Sequence, residues 1–165
     1  MYDFKPDTAL DATERYRQLV QAADALTSGE PDSVANMANV AALIWEFVPD
    51  LNWAGFYRMG ENADGADELV LGPFVGRPAC IRIPLGQGVC GTAVSTGETQ
   101  LVEDVHAFPG HIACDAASQS ELVVPVMRDG RVVAVIDLDS PIKARFGRED
   151  AEGFEALAAM LSERI

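Results

Sequence analysis

No run of about 18 apolar residues occurs in the sequence, so no segment predicts a membrane-spanning helix. Basic residues are also few: 12 lysines and arginines stand against 26 aspartates and glutamates, which gives a formal charge of −14. A field of this sign repels phosphate backbones and anionic lipids, and it argues against binding to nucleic acid or a membrane surface. The first residues lack the basic start and apolar stretch of a signal peptide, so we expect a cytoplasmic protein.

Cysteine is scarce as well, since Cys80, Cys90 and Cys114 are the only three in 165 residues. An odd number without dense spacing does not suit a secreted disulfide scaffold, so we expect the cysteines to start out as thiols. Together with His111 they would make a zinc-ligand set, but the close pairs typical of structural zinc are missing. We therefore predict no metal and no cofactor.

Apolar periodicity divides the chain into helical ends and a strand-rich middle. Steps of three and four residues predict helices from about Thr8 to Thr27, after Pro31-Asp32, and after Gly147. Between them a period of two predicts the strands Asn52–Met59, Glu68–Phe74, Ala79–Ile83, Thr99–Val102, Glu121–Met127 and Arg131–Asp139. Asp129-Gly130 suits a two-residue turn, so the last two strands are predicted to be antiparallel neighbours.

These elements predict an α+β fold, with a mostly antiparallel central sheet covered by helices on its faces. No repeat or long linker divides the chain, and 48% hydrophobic residues supply one core, so we expect a single domain over 1–165. Its predicted parts are two leading helices over 1–50, a sheet with active-site loops over 51–145, and a closing helix over 146–165.

Two carboxylates project from the end of the last predicted strand. Alternation of side chains places Val133, Val135, Asp137 and Asp139 on one face, opposite Val132, Ala134, Ile136 and Leu138. Repulsion and apolar neighbours predict a raised pKa for at least one of the two acids, which would suit proton donation. The alternative, acids that cap a strand end in water, stays open.

Two aromatic residues, Trp53 and Tyr57, share one face of the first strand with only Gly55 between them. They could form a slot for a flat or soft apolar group, such as a sulfur-bearing methyl, or they could simply fill the core. Cys90 lies near the start of a short predicted helix, where backbone N–H groups would lower the pKa of a thiol. Cys114 lies in a polar, turn-rich loop and is the most accessible cysteine by sequence.

A series of short motifs runs in unbroken order from Asn52 to the final helix. The motifs are Asn52-Trp-Ala-Gly-Phe-Tyr57, Leu71-Gly-Pro-Phe74, Ala79-Cys-Ile-Arg-Ile-Pro84, Gly88-Val-Cys-Gly-Thr-Ala93, Glu103-Asp-Val-His106, Gly110-His-Ile-Ala-Cys-Asp-Ala-Ala-Ser118, Ser120-Glu121 and Asp137-Leu-Asp-Ser140. Their sequence resembles that of the free methionine-(R)-sulfoxide reductases, which are stand-alone GAF-type domains. The resemblance implies reduction of free L-methionine (R)-S-oxide to L-methionine, as repair after oxidative stress.

The resemblance also implies the roles of the cysteines. Cys114 would attack the sulfoxide sulfur and become a sulfenic acid, and Cys80 would then close an intramolecular disulfide. Cys90 would be an auxiliary or alternative thiol, and thioredoxin would be the reductant. The helix-start position of Cys90 keeps open the alternative that Cys90 attacks.

By the same resemblance, Glu121, Asp137 and Asp139 would surround the sulfoxide oxygen and the substrate amine. Trp53 and Tyr57 would hold the methyl-sulfur end of the substrate. Unbroken pairing from the Asp129-Gly130 turn, however, places Glu121 opposite Leu138, on the other face from the two aspartates. A bulge at Pro125, or a Glu121 that lies before the paired strand, would bring the acids together.

Two other kinds of function stay open at this stage. One is a GAF module that senses a small molecule, although 165 residues leave little room for an output domain beside it. The other is a thiol redox sensor that has no turnover. The sequence leaves open whether the chain forms a homodimer.

Overall fold

A computed structural model describes residues 10–110 and 115–165. In chain order, the described elements are α1 (Ala12–Thr27), α2 (Ser33–Phe47), β1 (Trp53–Glu61), β2 (Asp67–Gly76), β3 (Arg82–Pro84), α3 (Gly88–Thr96), β4 (Gln100–Val102), a 3-10 turn (Val105–Ala107), β5 (Ser120–Arg128), β6 (Arg131–Ser140) and α4 (Arg148–Leu161). The strands form one sheet in the order β3-β2-β1-β6-β5-β4, and every pair is antiparallel. The predicted α+β fold is confirmed.

The two faces of the sheet carry separate hydrophobic clusters, because side chains alternate along each strand. Helices α1, α2 and α4 pack on one face, around side chains such as Phe56, Ile136 and Phe154. Helix α3 packs on the other face, where Trp53 and Tyr57 belong to the second cluster. Within residues 10–110 and 115–165, no helix has the length and apolar character needed to cross a bilayer.

The helix starts follow their capping residues. Helix α1 begins at Ala12, because the side chain of Asp11 accepts a hydrogen bond from the backbone N–H of Glu14 at 2.8 Å. The predicted start near Thr8 is therefore too early, and Thr8 itself lies outside the described residues. Asp32 caps α2 in the same way through the N–H of Ala35, and α4 follows Gly147, as predicted.

The hairpin between β5 and β6 turns at Asp129-Gly130, as predicted. Both residues have positive φ, 51° and 75°, which a two-residue type I′ turn requires. A bulge follows at once: Met127 pairs with Val132 and Val126 pairs with Ala134, so Val133 has no partner of its own.

This bulge corrects two predictions. Pro125 pairs with Val135 in a regular part of the ladder, so the bulge does not lie at Pro125. Val133 packs with the α1, α2 and α4 cluster while Val132 packs with the opposite cluster, so these two valines lie on the reverse of their predicted faces. Beyond the bulge the register places Glu121 opposite Asp139, on the face where the acids can meet.

The segment that carries Cys80 is not the strand that its sequence predicts. Strand β3 covers only Arg82–Pro84, and Cys80 precedes it. Pro78 has no N–H for a ladder, and β2 bulges opposite Phe56, where both Gly72 and Pro73 lie. The backbone of Cys80 is instead held by a side chain, because the Tyr57 hydroxyl donates to its carbonyl oxygen at 3.0 Å.

Candidate active site

A cleft opens on the α3 face of the sheet, between the strand ends and the segment that leads from β2 to α3. It encloses about 540 Å³, including its mouth to solvent. Its walls are Trp53, Tyr57, Arg77, Pro78, Ala79, Ile83, Gln87, Gly88, Val89, Cys90, Asp115, Ser118, Glu121, Asp137 and Asp139. The cleft therefore brings together every predicted site residue that has a described position, except Cys80, which directly follows the lining residue Ala79.

Three carboxyl groups meet at the inner end of the cleft because of strand pairing. Glu121 on β5 lies directly opposite Asp139 on β6, while Asp137 is two residues further along the same face. Glu121 and Asp137 are each only 6% exposed, and their side chains hydrogen bond to each other. Asp139 is half-buried, so the alternative in which Asp137 and Asp139 cap a strand end in water is wrong.

Burial sets the protonation of these acids. It raises the pKa of Asp137 to about 7, against the opposing effect of hydrogen bonds from Cys90 and Glu121. Burial, with the charges of Asp137 and Asp139, raises the pKa of Glu121 well above its usual range. Burial and the charge of Asp137 also raise the pKa of Asp139. The raised pKa predicted from the sequence is thus present in all three groups, and burial favours the protonated form of Glu121.

One oxygen of this cluster has no partner. Asp137 Oδ1 is buried and accepts no hydrogen bond from the described part of the chain. A buried acceptor without a donor is costly, so its position in a cleft indicates a ligand that carries donors. An ammonium group supplies three such donors together with a complementary charge.

Cys90 points into the same cluster, and its environment differs from the sequence prediction. Gly91 allows α3 to approach β3 closely, since a Cβ there would lie 2.6 Å from the carbonyl oxygen of Pro84. Cys90 is consequently buried beside Asp137 and Glu121. Burial, reinforced by the neighbouring carboxylates, raises the pKa of its thiol well above the usual value. The predicted lowering by the start of the helix is therefore wrong, and Cys90 is a poor thiolate.

The aromatic residues form one wall of the cleft instead of two walls around a slot. The ring centroids of Trp53 and Tyr57 lie 5.9 Å apart, and Trp53 stacks on Phe74 at 5.2 Å. These are contact distances between rings, so no group fits between them. Phe74 also fills the space over Gly55, where a Cβ would lie 2.4 Å from the Phe74 Cβ. The predicted slot is therefore closed, but the rings still offer an apolar surface to the cleft.

The structure describes two of the three cysteines, Cys80 and Cys90. Cys80 is in a disulfide bond, whereas Cys90 is a free thiol. The other two residues considered as zinc ligands, His111 and Cys114, lie outside the described residues, and attack by Cys114 stays a prediction.

A polar network beside the acids was missed by sequence reasoning. Asn52 Nδ2 donates to Asp115 Oδ2 at 3.2 Å and to Ser118 Oγ at 3.0 Å. Ser118 in turn hydrogen bonds to Asp139. Asp115 also lies 3.9 Å from Arg77, on the opposite lip of the cleft. The sequence signal for this network was Asp115 and Ser118, at the end of the motif Gly110-His-Ile-Ala-Cys-Asp-Ala-Ala-Ser118. Their short polar side chains suit a loop that packs against a polar site.

The raised pKa of Asp137 has a consequence for folding that can be measured. The unfolded side chain ionises near pH 4, whereas the folded one holds its proton until about pH 7. The contribution of Asp137 to the free energy of unfolding is therefore fully present below about pH 4 and is lost as the pH rises to about 7. We expect Asp137→Asn to be more stable than the parent at pH 8, by about 2 kcal/mol or more, in urea unfolding.

Asp115→Asn is the matched control for that measurement. Hydrogen bonds, chiefly from the backbone of Ala117, lower the pKa of Asp115, so its contribution to stability is lost on acidification instead. A parent and an Asp137→Asn variant with the same pH dependence between pH 4 and 8 would contradict the raised pKa.

Comparison with known proteins places the fold in a family. Residues 32–165 match the model of the GAF domain. The chain is 50% identical over 155 residues to Protein YtsP of Bacillus subtilis, covering 94% of this chain and 93% of that protein. It is 47% identical over 154 residues to the free methionine-R-sulfoxide reductase of Escherichia coli, covering 93% of this chain and 90% of that protein.

A crystallographic relative agrees in fold and in length. The X-ray structure of the free methionine-R-sulfoxide reductase of Neisseria meningitidis, in complex with its substrate, superposes with a TM-score of 0.91 at 43% identity. The match covers 99% of this chain and 95% of that one. The chain therefore belongs to the GAF-domain family of free methionine-R-sulfoxide reductases.

Proposed function

We propose that this protein reduces free L-methionine (R)-S-oxide to L-methionine. The observation that carries the proposal is the buried acid cluster, with its unpartnered Asp137 Oδ1, beside the aromatic wall of the cleft. Such a site offers an acid for an oxygen atom, an acceptor for an ammonium group and an apolar surface for a methylthio group. The E. coli relative is named for this activity, and the N. meningitidis relative was crystallised with its substrate. We take the R configuration from these relatives.

The carboxyl groups divide into a donor and acceptors in this proposal. The raised pKa of Glu121 favours its protonated form, and this proton passes to the sulfoxide oxygen. Asp137 Oδ1 and Asp139 accept from the substrate ammonium, whose positive charge favours their ionised forms. Trp53 and Tyr57 contact the methyl-sulfur end of the substrate.

The redox step uses cysteine. The Cys114 thiolate attacks the sulfoxide sulfur and forms a sulfur–sulfur bond, and the protonated oxygen leaves as water. Water then attacks Cys114 Sγ and loses a proton while the sulfur–sulfur bond breaks. The sulfoxide sulfur gains two electrons and leaves as methionine, and Cys114 loses two and becomes a sulfenic acid. The Cys80 thiol then displaces water from the sulfenic acid to form a disulfide, and a thioredoxin dithiol reduces that disulfide.

Two observations support Cys80 over Cys90 as the resolving cysteine. Cys80 is in a disulfide bond, and its segment lies at the mouth of the cleft. Cys90 is 4% exposed and its thiol holds its proton, so both access and nucleophilicity are low. Cys90 is accordingly an auxiliary residue that hydrogen bonds to Asp137.

Preference for the free amino acid follows from the proposed contacts. A methionine sulfoxide within a peptide has no free ammonium group, so it would leave Asp137 Oδ1 unpartnered after losing water. Specificity of this type is strong, because a site built for a charged donor rejects an analogue that lacks it.

The test is an assay that couples NADPH oxidation to turnover through thioredoxin and thioredoxin reductase. We expect oxidation with free methionine (R)-sulfoxide and little with the S epimer or with a peptide that contains the sulfoxide. Binding without turnover would indicate a small-molecule sensor. A disulfide that forms with peroxide but not with methionine sulfoxide would indicate a redox sensor. Thioredoxin as reductant, the cytoplasmic location and a homodimer stay predictions.

A further inference from the structure

Three donor atoms of different chemistry converge in the cleft. Cys90 Sγ and one carboxylate oxygen each from Glu121 and Asp137 all lie within 4.8 Å of one another. This set differs from the zinc ligands considered from the sequence, since it retains Cys90 and adds two carboxylates. All three residues are buried and held by regular secondary structure, on α3, β5 and β6.

The spacing suits a small thiophilic cation. Zinc bonds to sulfur at about 2.3 Å and to carboxylate oxygen at about 2.0–2.2 Å, so tetrahedral ligands on one ion lie roughly 3.5 Å apart. Separations of at most 4.8 Å need only small rotations of the two acidic side chains to reach this geometry. A water molecule from the cleft would supply the fourth ligand.

The charge and hydrogen bonding of the cluster also indicate a cation. Asp137 Oδ1 is buried in the wall of the cleft and has no hydrogen-bond partner among residues 10–110 and 115–165. Arg77, the basic residue among those that line the cleft, is largely exposed and lies near Asp115. An ammonium group is one ligand that would neutralise the charge of this cluster, but it would not bond to the thiol of Cys90.

We propose that the protein binds zinc, or a similarly thiophilic divalent cation, on Cys90 Sγ, Glu121 and Asp137, with water as the remaining ligand. Binding releases to solvent the protons that Cys90 and the carboxyl groups hold in the free protein. The ion occupies the two carboxylates that the substrate needs, so it acts as a competitive inhibitor. This second part rests on the proposed function. Magnesium does not substitute, because it prefers an octahedral shell of oxygen atoms.

The binding test uses the whole chain with Cys80 and Cys114 both changed to serine. This variant has no turnover and retains Cys90 as its single cysteine, so the result does not depend on the proposed function. With cobalt(II) as the spectroscopic probe, we expect a thiolate-to-metal charge-transfer band that zinc abolishes by displacement. Calorimetry with zinc chloride gives the dissociation constant, and magnesium chloride is the comparison.

Further substitutions in that variant identify the ligands. Cys90→Ser should remove the cobalt band, and Glu121→Gln should raise the zinc dissociation constant at least about tenfold, since even a lost partner behind a ligand costs 10–100-fold. Glu68→Gln is the matched control, because Glu68 is a buried carboxylate that pairs with Arg82 outside the cleft. It should change zinc affinity less than about twofold, and circular dichroism checks that each variant is folded.

Three results would overturn the proposal. No cobalt band in the double variant, or a band that survives Cys90→Ser, would exclude this ligand set. Equal effects of Glu121→Gln and Glu68→Gln would exclude the carboxylates. With the parent enzyme, zinc should raise the KM for methionine sulfoxide and leave kcat unchanged, and a fall in kcat alone would overturn the competitive part. Absence of turnover without zinc would instead count against the proposed function.

Discussion

Cys114→Ser is expected to abolish the release of methionine from free methionine (R)-sulfoxide in a single turnover without added reductant. A serine hydroxyl stays protonated near neutral pH and is a far weaker nucleophile toward sulfur than a thiolate. Cys90, a free thiol, cannot replace Cys114, because burial and the nearby carboxylates keep it protonated. Chromatographic measurement of one equivalent of methionine per prereduced protein gives the result.

Two variants serve as controls for this prediction. Cys80→Ser should still release one equivalent of methionine, since it retains the attacking thiol, but should fail in multiple turnovers with thioredoxin. Cys90→Ser should also retain the first turnover, at a reduced rate if its hydrogen bond to Asp137 matters. Loss of the single turnover in Cys90→Ser, with retention in Cys114→Ser, would show that Cys90 attacks.

Glu121→Gln and Asp137→Asn are each expected to slow the chemical step by about 100-fold or more, the lower range for loss of a positioned proton donor. Glu121→Gln removes the donor itself, whereas Asp137→Asn removes the carboxylate that hydrogen bonds to Glu121 and holds the substrate ammonium. Asp139→Asn should act more on KM, because Asp139 is less buried and hydrogen bonds to Ser118. Rapid-quench measurement of methionine in a single turnover separates the step from binding.

The pH dependence of that step has a defined sign. Proton donation requires protonated Glu121, so the single-turnover rate should fall as the pH rises through the range in which Glu121 and its hydrogen-bonded neighbour Asp137 ionise, and the pKa of Asp137 is about 7. Glu68→Gln again provides a comparison, because it removes a buried carboxyl group that has no contact with the cleft. If the rates for Glu121→Gln lie within a few-fold of those for Glu68→Gln, Glu121 has a structural role and does not donate the proton.

The sequence predicts best those structural features that are determined by residues within the feature itself. Asp129-Gly130 specifies its turn by the conformations that these two residues tolerate, and Asp32 caps a helix through its own side chain. The pairing of β5 with β6 and the meeting of the acids follow from such local features once one extra residue is allowed.

What sequence could not predict depends on contacts between distant segments. Val133 is an ordinary strand residue without the glycine or proline that marks many bulges, so its exclusion from the ladder has no local signal. The protonated state of Cys90 arises from packing of α3 against β5 and β6, which a helix-start argument does not contain. The closed space over Gly55 likewise depends on Phe74, which β2 brings there after its own bulge.

The bulge at Val133 compensates for unequal strand lengths in the hairpin. Seven steps lead from Arg128 back to Glu121, whereas eight lead from Arg131 to Asp139, and the extra residue takes up the difference. If Val133 entered the ladder, Glu121 would face Leu138 and turn toward the apolar helices, where an acid has no partner. A hairpin redesigned without a bulge must therefore omit one residue of β6, because only equal lengths keep Glu121 opposite Asp139.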